Sequence, residues 1–289
     1  MRLWADVGIE LPYGTIGEVR TTCPQCSPSR RKSCIPCLAV NTNTGAWLCH
    51  HCGWKGSLHG RLSLSTLPPL PRPPAQPDER KRTALRRVWG EARPITAADP
   101  VDTYLRRRGI ALPLTEFPSV LRYHPHLVYR DEDSQHSYHP ALIARVDDAQ
   151  GHGVSLHRTY VTKDGRKADV PTVRKLMPSV VPGATRGGAI RLYPASETLA
   201  IAEGIETALA VRLATGLPVW STICAGGMAR LIVPPEVHLV VICADHDTAG
   251  LDAARALARC LLVERRRVKM LIPDRPGADW ADLQEVGHG

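Results

Sequence analysis

Aromatic side chains make up 5% of the 289 residues, with a single phenylalanine, Phe117, and four methionines. Any core must therefore be aliphatic, and 43% hydrophobic content is enough to build one. No apolar run approaches the roughly 18 residues of a membrane span. The opening M-R-L-W-A-D-V-G-I-E has no apolar core for a signal peptide. A cytoplasmic, reducing setting without a membrane partner is expected. Acidic residues are also in short supply: 28 Asp and Glu face 37 Lys and Arg, a net charge of +9. That excess points to a polyanionic partner. No G-x-x-x-x-G-K-[ST] phosphate loop is present; Gly183 to Gly188 (G-A-T-R-G-G) comes nearest and lacks the lysine. A fused helicase motor is not expected.

Cysteine, by contrast, is concentrated. Six of the nine lie between Cys23 and Cys52. In a reducing compartment such crowding reads as metal binding rather than disulfides. Cys23-Pro-Gln-Cys26 and Cys49-His-His-Cys52 each let one tight turn aim two thiolates at one ion. Gly53 suits the turn after the second pair because it tolerates positive φ. Leu38 to Cys49 alternates around Asn, Thr and Gly and reads as a hairpin. A zinc ribbon over residues 1–60 follows, with one structural Zn²⁺ on Cys23, Cys26, Cys49 and Cys52. Cys34 and Cys37 form a third Cys-x2-Cys that could displace one pair, and His50 and His51 are further alternatives. Arg30, Arg31, Lys32, Lys55, Trp47 and Trp54 suit single-stranded nucleic acid, although Trp47 reads equally as hairpin core. Leu3 and Trp4 suggest a short helix packed on this module.

Residues 61–80 read as a linker, since L-P-P-L-P-R-P-P-A-Q-P favours an extended polyproline form. Residues 81–195 read as a basic α+β segment. Its helices start near Asp78 and Asp99, the second opened by Pro100 and closed by Gly109. Three alternating runs between residues 120 and 160 read as strands, with a turn at Asp164-Gly165. His157 reads as a structural residue. Arg158, Lys163, Arg166, Lys167, Arg174 and Lys175 crowd the C-terminal side of this sheet, a track for phosphates.

Residues 196–289 alternate strand and helix, which means a parallel sheet covered on both faces. Strands are expected at Thr198–Ala202, Pro218–Ile223, His238–Ala244 and Arg267–Ile272. Ala225-Gly-Gly reads as a loop. The helix from Thr248 carries Leu251, Ala254, Leu257, Ala258, Leu261 and Leu262 on one face. Cys224, Cys243 and Cys260 read as small core residues. Ligands bind beyond the carboxyl ends of such strands, where Glu203, Asp245 and Asp247 fall. Clustered carboxylates of this kind suit Mg²⁺ or Mn²⁺. Asp247 also reads as a helix N-cap.

The pattern E-G-I-E-T-A-L-A from Glu203, A-D-H-D-T-A-G-L-D from Ala244 and G-A-D-W-A-D from Gly277 resembles the TOPRIM domain. Preceded by a zinc ribbon and a basic segment, it is similar to primases of the DnaG type found in phages, plasmids and mobile elements. The resemblance implies a primase making short oligoribonucleotides on single-stranded DNA from NTPs, with a separate helicase as partner. It implies that Glu203, Asp245 and Asp247 are catalytic and bind one or two Mg²⁺ or Mn²⁺. The basic residues from Arg158 to Lys175 would hold nucleotide or template. DnaG-type primases often carry a further Asp four residues after the glutamate; here that residue is Thr207. Glu206 is the substitute on offer, or the metal set is smaller. Asp279 and Asp282 resemble an acidic tail motif. A TOPRIM nuclease and a non-catalytic replication accessory are the rival readings.

Overall fold

The computed structural model describes residues 3–12, 14–28, 36–58, 77–131 and 135–273. Cys34, the proline-rich segment through Gln76, Asp279 and Asp282 lie outside the described residues. The chain forms two compact units, Met1–Pro73 and Pro74–Gly289. No helix among the described residues is long and apolar enough to cross a membrane.

The first unit opens with a 3-10 turn over Trp4–Val7. Four antiparallel strands follow: β1 (Glu18–Thr21), β2 (Leu38–Asn41), β3 (Ala46–Cys49) and β4 (Lys55–Ser57), paired in chain order. β2 and β3 are the hairpin expected from the alternation. Asn41 Oδ1 accepts the N–H groups of Asn43 and Thr44 at 3.0 Å, which closes the turn. Trp47 is buried, and Trp4 and Trp54 pack on it with ring centroids 6.2 and 5.3 Å away. Trp47 is thus core, which settles that alternative.

The second unit begins with α1 (Glu79–Glu91) and α2 (Pro100–Arg107), N-capped by Asp78 and Asp99. Strands β5 (Leu121–Arg130), β6 (His136–Asp147), β7 (Gly153–Tyr160) and β8 (Arg174–Leu176) form an antiparallel sheet in chain order. Then come β9 (Ile190–Arg191), β10 (Thr198–Ala202), α3 (Ile205–Thr215), β11 (Val219–Ser221), α4 (Ala225–Met228), β12 (Leu239–Cys243), α5 (Thr248–Val263) and β13 (Arg267–Leu271). These five strands order as β13-β12-β10-β11-β9, parallel except for β9 at the edge.

Both faces of the parallel sheet are covered, and period-two alternation shows how. Leu199, Ile201, Val240 and Ile242 join the core under α4 and α5. Ala200, Ala202, Val241 and Cys243 join the opposite core with α2, α3 and the β6 residues Leu142, Ala144 and Val146. The two sheets therefore share one core. The other face of β6, through Ala141 and Ile143, packs with Leu85 and Val88 of α1.

Some local expectations need correction. Ala225-Gly-Gly is the start of α4, not a loop, because Gly227 lets the chain turn tightly over Thr222; a Cβ there would lie 2.2 Å from that residue's carbonyl oxygen. Leu262 is 58% exposed. It is turned a further 100° around the helix from buried Leu261. Cys243 is core, but Cys224 and Cys260 are exposed. The short strands β8 and β9 lack alternation and are held by their neighbours' ladders.

Gly188 stands where the chain leaves the antiparallel sheet. Next to it, Ala189 exchanges backbone hydrogen bonds with Asp147 at 2.9 and 3.1 Å. A Cβ on Gly188 would lie 2.0 Å from the Asp147 carbonyl oxygen. Gly188→Ala is predicted to destabilise the second unit by about 2–4 kcal/mol. Gly183→Ala, at φ 77° but in open space, costs about 1 kcal/mol. Urea unfolding of both variants checks this; equal midpoints would contradict it.

Candidate metal centre and active site

The Sγ atoms of Cys23, Cys26, Cys49 and Cys52 all lie within 4.8 Å of one another. Cys23 to Cys52 is 3.8 Å and Cys26 to Cys49 is 3.7 Å. Zn–S bonds of about 2.3 Å give a tetrahedron with edges of about 3.8 Å, so this donor set fits zinc. Burial opposes ionisation of Cys49, but the backbone N–H groups of Cys52 and His51 outweigh it and lower its pKa. The N–H of Trp54 does the same for Cys52. His50 and His51 are exposed and outside the group. Cys37 is a neighbouring fifth sulfur, 3.8 Å from Cys26 and 3.7 Å from Cys49.

In the second unit, Glu203 follows the end of β10 and Asp245 lies just past the end of β12, two strands paired Ala202 to Cys243. Both carboxylates line one pocket with Gly204, Ile205, Glu206, Thr207, Ser221 and Ile223. The motif residues around it have mechanical reasons. Ser221 Oγ donates to the Glu203 carbonyl at 2.8 Å. His246 Nδ1 bonds the Pro273 carbonyl at 2.7 Å and ties the D-H-D loop to the end of β13. Asp247 caps α5, accepting the Gly250 N–H at 2.7 Å. A Cβ at Gly250 would come within 2.9 Å of the Asp245 carbonyl oxygen, so the glycine of T-A-G is needed. Ile223 holds φ 73° at the pocket wall, a strained value for a β-branched residue.

Burial, then the charge of Asp247, raises the pKa of Glu203. The nearby Ala225 backbone N–H and the Arg174 charge oppose that rise. Among the described residues the four cysteines are the only candidate ligand group within 4.8 Å. Glu203, Asp245 and Asp247 are thus neighbours, without being drawn to one point. An all-oxygen set with an electrostatically strained member fits Mg²⁺ or Mn²⁺.

Glu206 is not in the same position. Its Oε1 accepts from the Tyr104 hydroxyl at 2.6 Å and from Arg174 Nη2 at 2.9 Å. The structure thus pairs the residue offered as a substitute for the missing Asp with a cation, while Thr207 is buried beside it.

The basic residues divide. In the β7–β8 ladder His157 pairs Leu176, Arg158 pairs Lys175 and Thr159 pairs Arg174, and paired residues share a face. His157 and Arg174 both line the acidic pocket. Arg158 and Lys175 lie on the other face, over the rings of Tyr160 and Tyr129 at 5.9 and 4.1 Å. Lys163, Arg166 and Lys167 are exposed between these strands, with Arg166 3.1 Å from Asp164. Trp54 is half-buried against Trp47.

Tyr104 and His157 are the site residues that the sequence did not reveal as such. His157 is 6% exposed, its Nδ1 is buried without a hydrogen bond, and burial lowers its pKa to about 4. Its place on the same strand face as Thr159 was legible; what that face would meet was not.

Residues 79–187 match the model of a domain of unknown function, DUF7146, and residues 198–288 match the Toprim domain. A search of curated proteins gave no match. Among solved structures, the zinc-binding and RNA polymerase domains of the Aquifex aeolicus primase align at TM-score 0.50 and 18% identity, covering 96% of this chain and 78% of that one. A DnaG primase catalytic domain bound to single-stranded DNA aligns at 0.49 and 15%, covering 73% and 77%. The primase fragment of the bacteriophage T7 primase-helicase protein aligns at 0.44 and 15%, covering 93% and 95%. At 18% identity the first likeness shows a common fold; the other two, under a TM-score of 0.5, add nothing to it.

A carboxyl whose pKa is raised by folding destabilises the fold while ionised, a penalty absent at pH values below its unfolded pKa. In metal-free buffer at pH 7, Glu203→Gln is predicted to raise the melting temperature by about 2–4 °C. Mg²⁺ should stabilise the wild type more than the variant. A variant that melts below the wild type without metal would contradict this electrostatic picture.

Proposed function

With a Toprim domain at residues 198–288 as the premise, we propose that this chain is a DNA primase, a nucleotidyltransferase making short oligoribonucleotides on single-stranded DNA. The observation that carries the reading is the single pocket lined by Glu203 and Asp245 from the parallel sheet and by Arg174 from the antiparallel one. Carboxylates and a guanidinium side by side suit a metal-bound triphosphate.

In this reading Glu203, Asp245 and Asp247 hold one or two Mg²⁺ or Mn²⁺. Bound there, the metal supplies Lewis acidity, acidifying a 3′-hydroxyl and neutralising the leaving pyrophosphate. Arg174 meets the triphosphate. Lys163, Arg166 and Lys167, exposed on their turn, attract template phosphates. Arg158 and Lys175, facing away from the pocket, serve the template rather than the nucleotide. The cysteine ribbon holds one Zn²⁺ as a structural ion, and Lys55 and Trp54 on it contact single-stranded DNA. A separate helicase is the proposed partner in this reading.

The test is template-directed synthesis with NTPs and Mg²⁺. Asp245→Asn combined with Asp247→Asn is expected to lower it by about 10²–10³-fold. Cleavage of DNA without NTPs would replace the reading with a nuclease. Salt-sensitive DNA binding with no product under any metal would replace it with a replication accessory. For the ribbon, about one Zn²⁺ per chain is expected. Cys49→Ser should lose it and unfold the first unit, while Cys37→Ser should retain it. Zinc loss in Cys37→Ser would show that Cys37 is a ligand.

A further inference from the structure

Glu206, in the first turn of α3, follows Glu203 by only three residues, yet its surroundings are of another kind. It is 3% exposed, and its hydroxyl partner, Tyr104, is 2% exposed. Three elements meet on its carboxylate: α2 through Tyr104, β8 through Arg174, and α3 itself. Burial alone would keep Glu206 protonated, but the Arg174 guanidinium and then the Tyr104 hydroxyl outweigh it and hold the pKa down. Burial, reinforced by the Glu206 charge, raises the Tyr104 pKa, so the phenol keeps its proton and donates. The Arg174 side chain remains 46% exposed at the pocket. One nitrogen is anchored on Glu206, and about half of the side chain stays accessible. An arginine lacking this anchor would be drawn to Glu203 and its neighbours and would compete with a divalent cation for them.

We propose that Tyr104 and Glu206 are positioning residues that hold the Arg174 guanidinium at the pocket wall to receive a nucleoside triphosphate, and that Glu206 is not a metal ligand. This rests on the nucleotidyl-transfer reading above. The device divides the labour by charge: Glu203, Asp245 and Asp247 are left for the cation, and Arg174 is left for the anion. His157 lies on the same strand face and is neutral, so it adds no competing charge.

Two binding measurements on the full chain test it, each independent of primer synthesis. One is equilibrium dialysis with Mg²⁺–GTP; the other is Mn²⁺ alone, followed by electron paramagnetic resonance. Tyr104→Phe removes one oxygen and is expected to weaken Mg²⁺–GTP binding about ten-fold, with Mn²⁺ binding unchanged. Glu206→Gln should weaken nucleotide binding at least as much; because it frees Arg174 to compete at Glu203, its Mn²⁺ binding is read in the Arg174→Ala background, where it should match that of Arg174→Ala alone. In an Arg174→Ala background, Tyr104→Phe should have no further effect, since it acts through Arg174. An undiminished Tyr104→Phe effect in that background would overturn the proposal. So would loss of Mn²⁺ binding when Glu206→Gln is added to Arg174→Ala, which would make Glu206 a ligand. Should Glu206→Gln fail to fold, the Tyr104→Phe cycle decides alone. Intact nucleotide binding by a wild type that makes no primer would overturn the primase reading and leave this one standing.

Discussion

A carboxylate removed from water costs several kcal/mol unless a cation and hydrogen-bond donors replace the solvent. Glu206 is removed from water at the first turn of α3, and its compensation comes from two segments far away in the chain, Tyr104 on α2 and Arg174 on β8. None of the three can shift without leaving a buried charge or hydroxyl unpaired. Around them runs an aliphatic core that takes residues from both sheets. That core supplies adhesion without direction; the polar contact adds direction, as do the backbone hydrogen bonds between Ala189 and Asp147. The shared core is why the basic segment and the Toprim domain fall within one compact unit.

The acidic pocket depends on the same arrangement. Parallel strands β10 and β12 end side by side, and the chain continues from each into a carboxylate. Burial and the nearby Asp247 leave Glu203 electrostatically strained. Ile223 stores backbone strain at the wall. A site that costs stability in the empty protein and recovers it on binding a cation is the pattern expected where function opposes folding. Arg174 would cancel this strain if it leaned over, and Glu206 is what holds it aside.

Features carried by local pattern were readable from the chain. Two Cys-x2-Cys pairs flanking an alternating hairpin marked the sulfur cluster, and strand-helix alternation marked the covered parallel sheet. The E-G and D-H-D motifs marked the pocket, because each sits at the end of an apolar strand. What escaped was set by distance or by register. Tyr104 and Glu206 are 102 positions apart, and nothing near either names the other. Arg158, Arg174 and Lys175 read as one basic cluster until β8 is paired to β7; pairing then sends Arg174 to one face and the other two to the opposite face. His157 read as an ordinary buried histidine, and only the structure puts its unpartnered Nδ1 in a residue lining the pocket. Trp47, read either as core or as a base-stacking platform, proved to be core because it is buried with Trp4 and Trp54 packed on it.

In this reading cation and nucleotide are handled by separate side chains of one pocket, Glu203 and Asp245 from one sheet and Arg174 from the other. Anomalous diffraction from crystals grown with Mn²⁺ and a non-hydrolysable GTP analogue tests it most directly. Manganese is expected at Glu203, Asp245 and Asp247, with phosphate oxygens on Arg174 and Glu206 still bonded to Tyr104 and Arg174. Manganese bound by Glu206, with Arg174 released from it, would show that the two charges are not divided in this way.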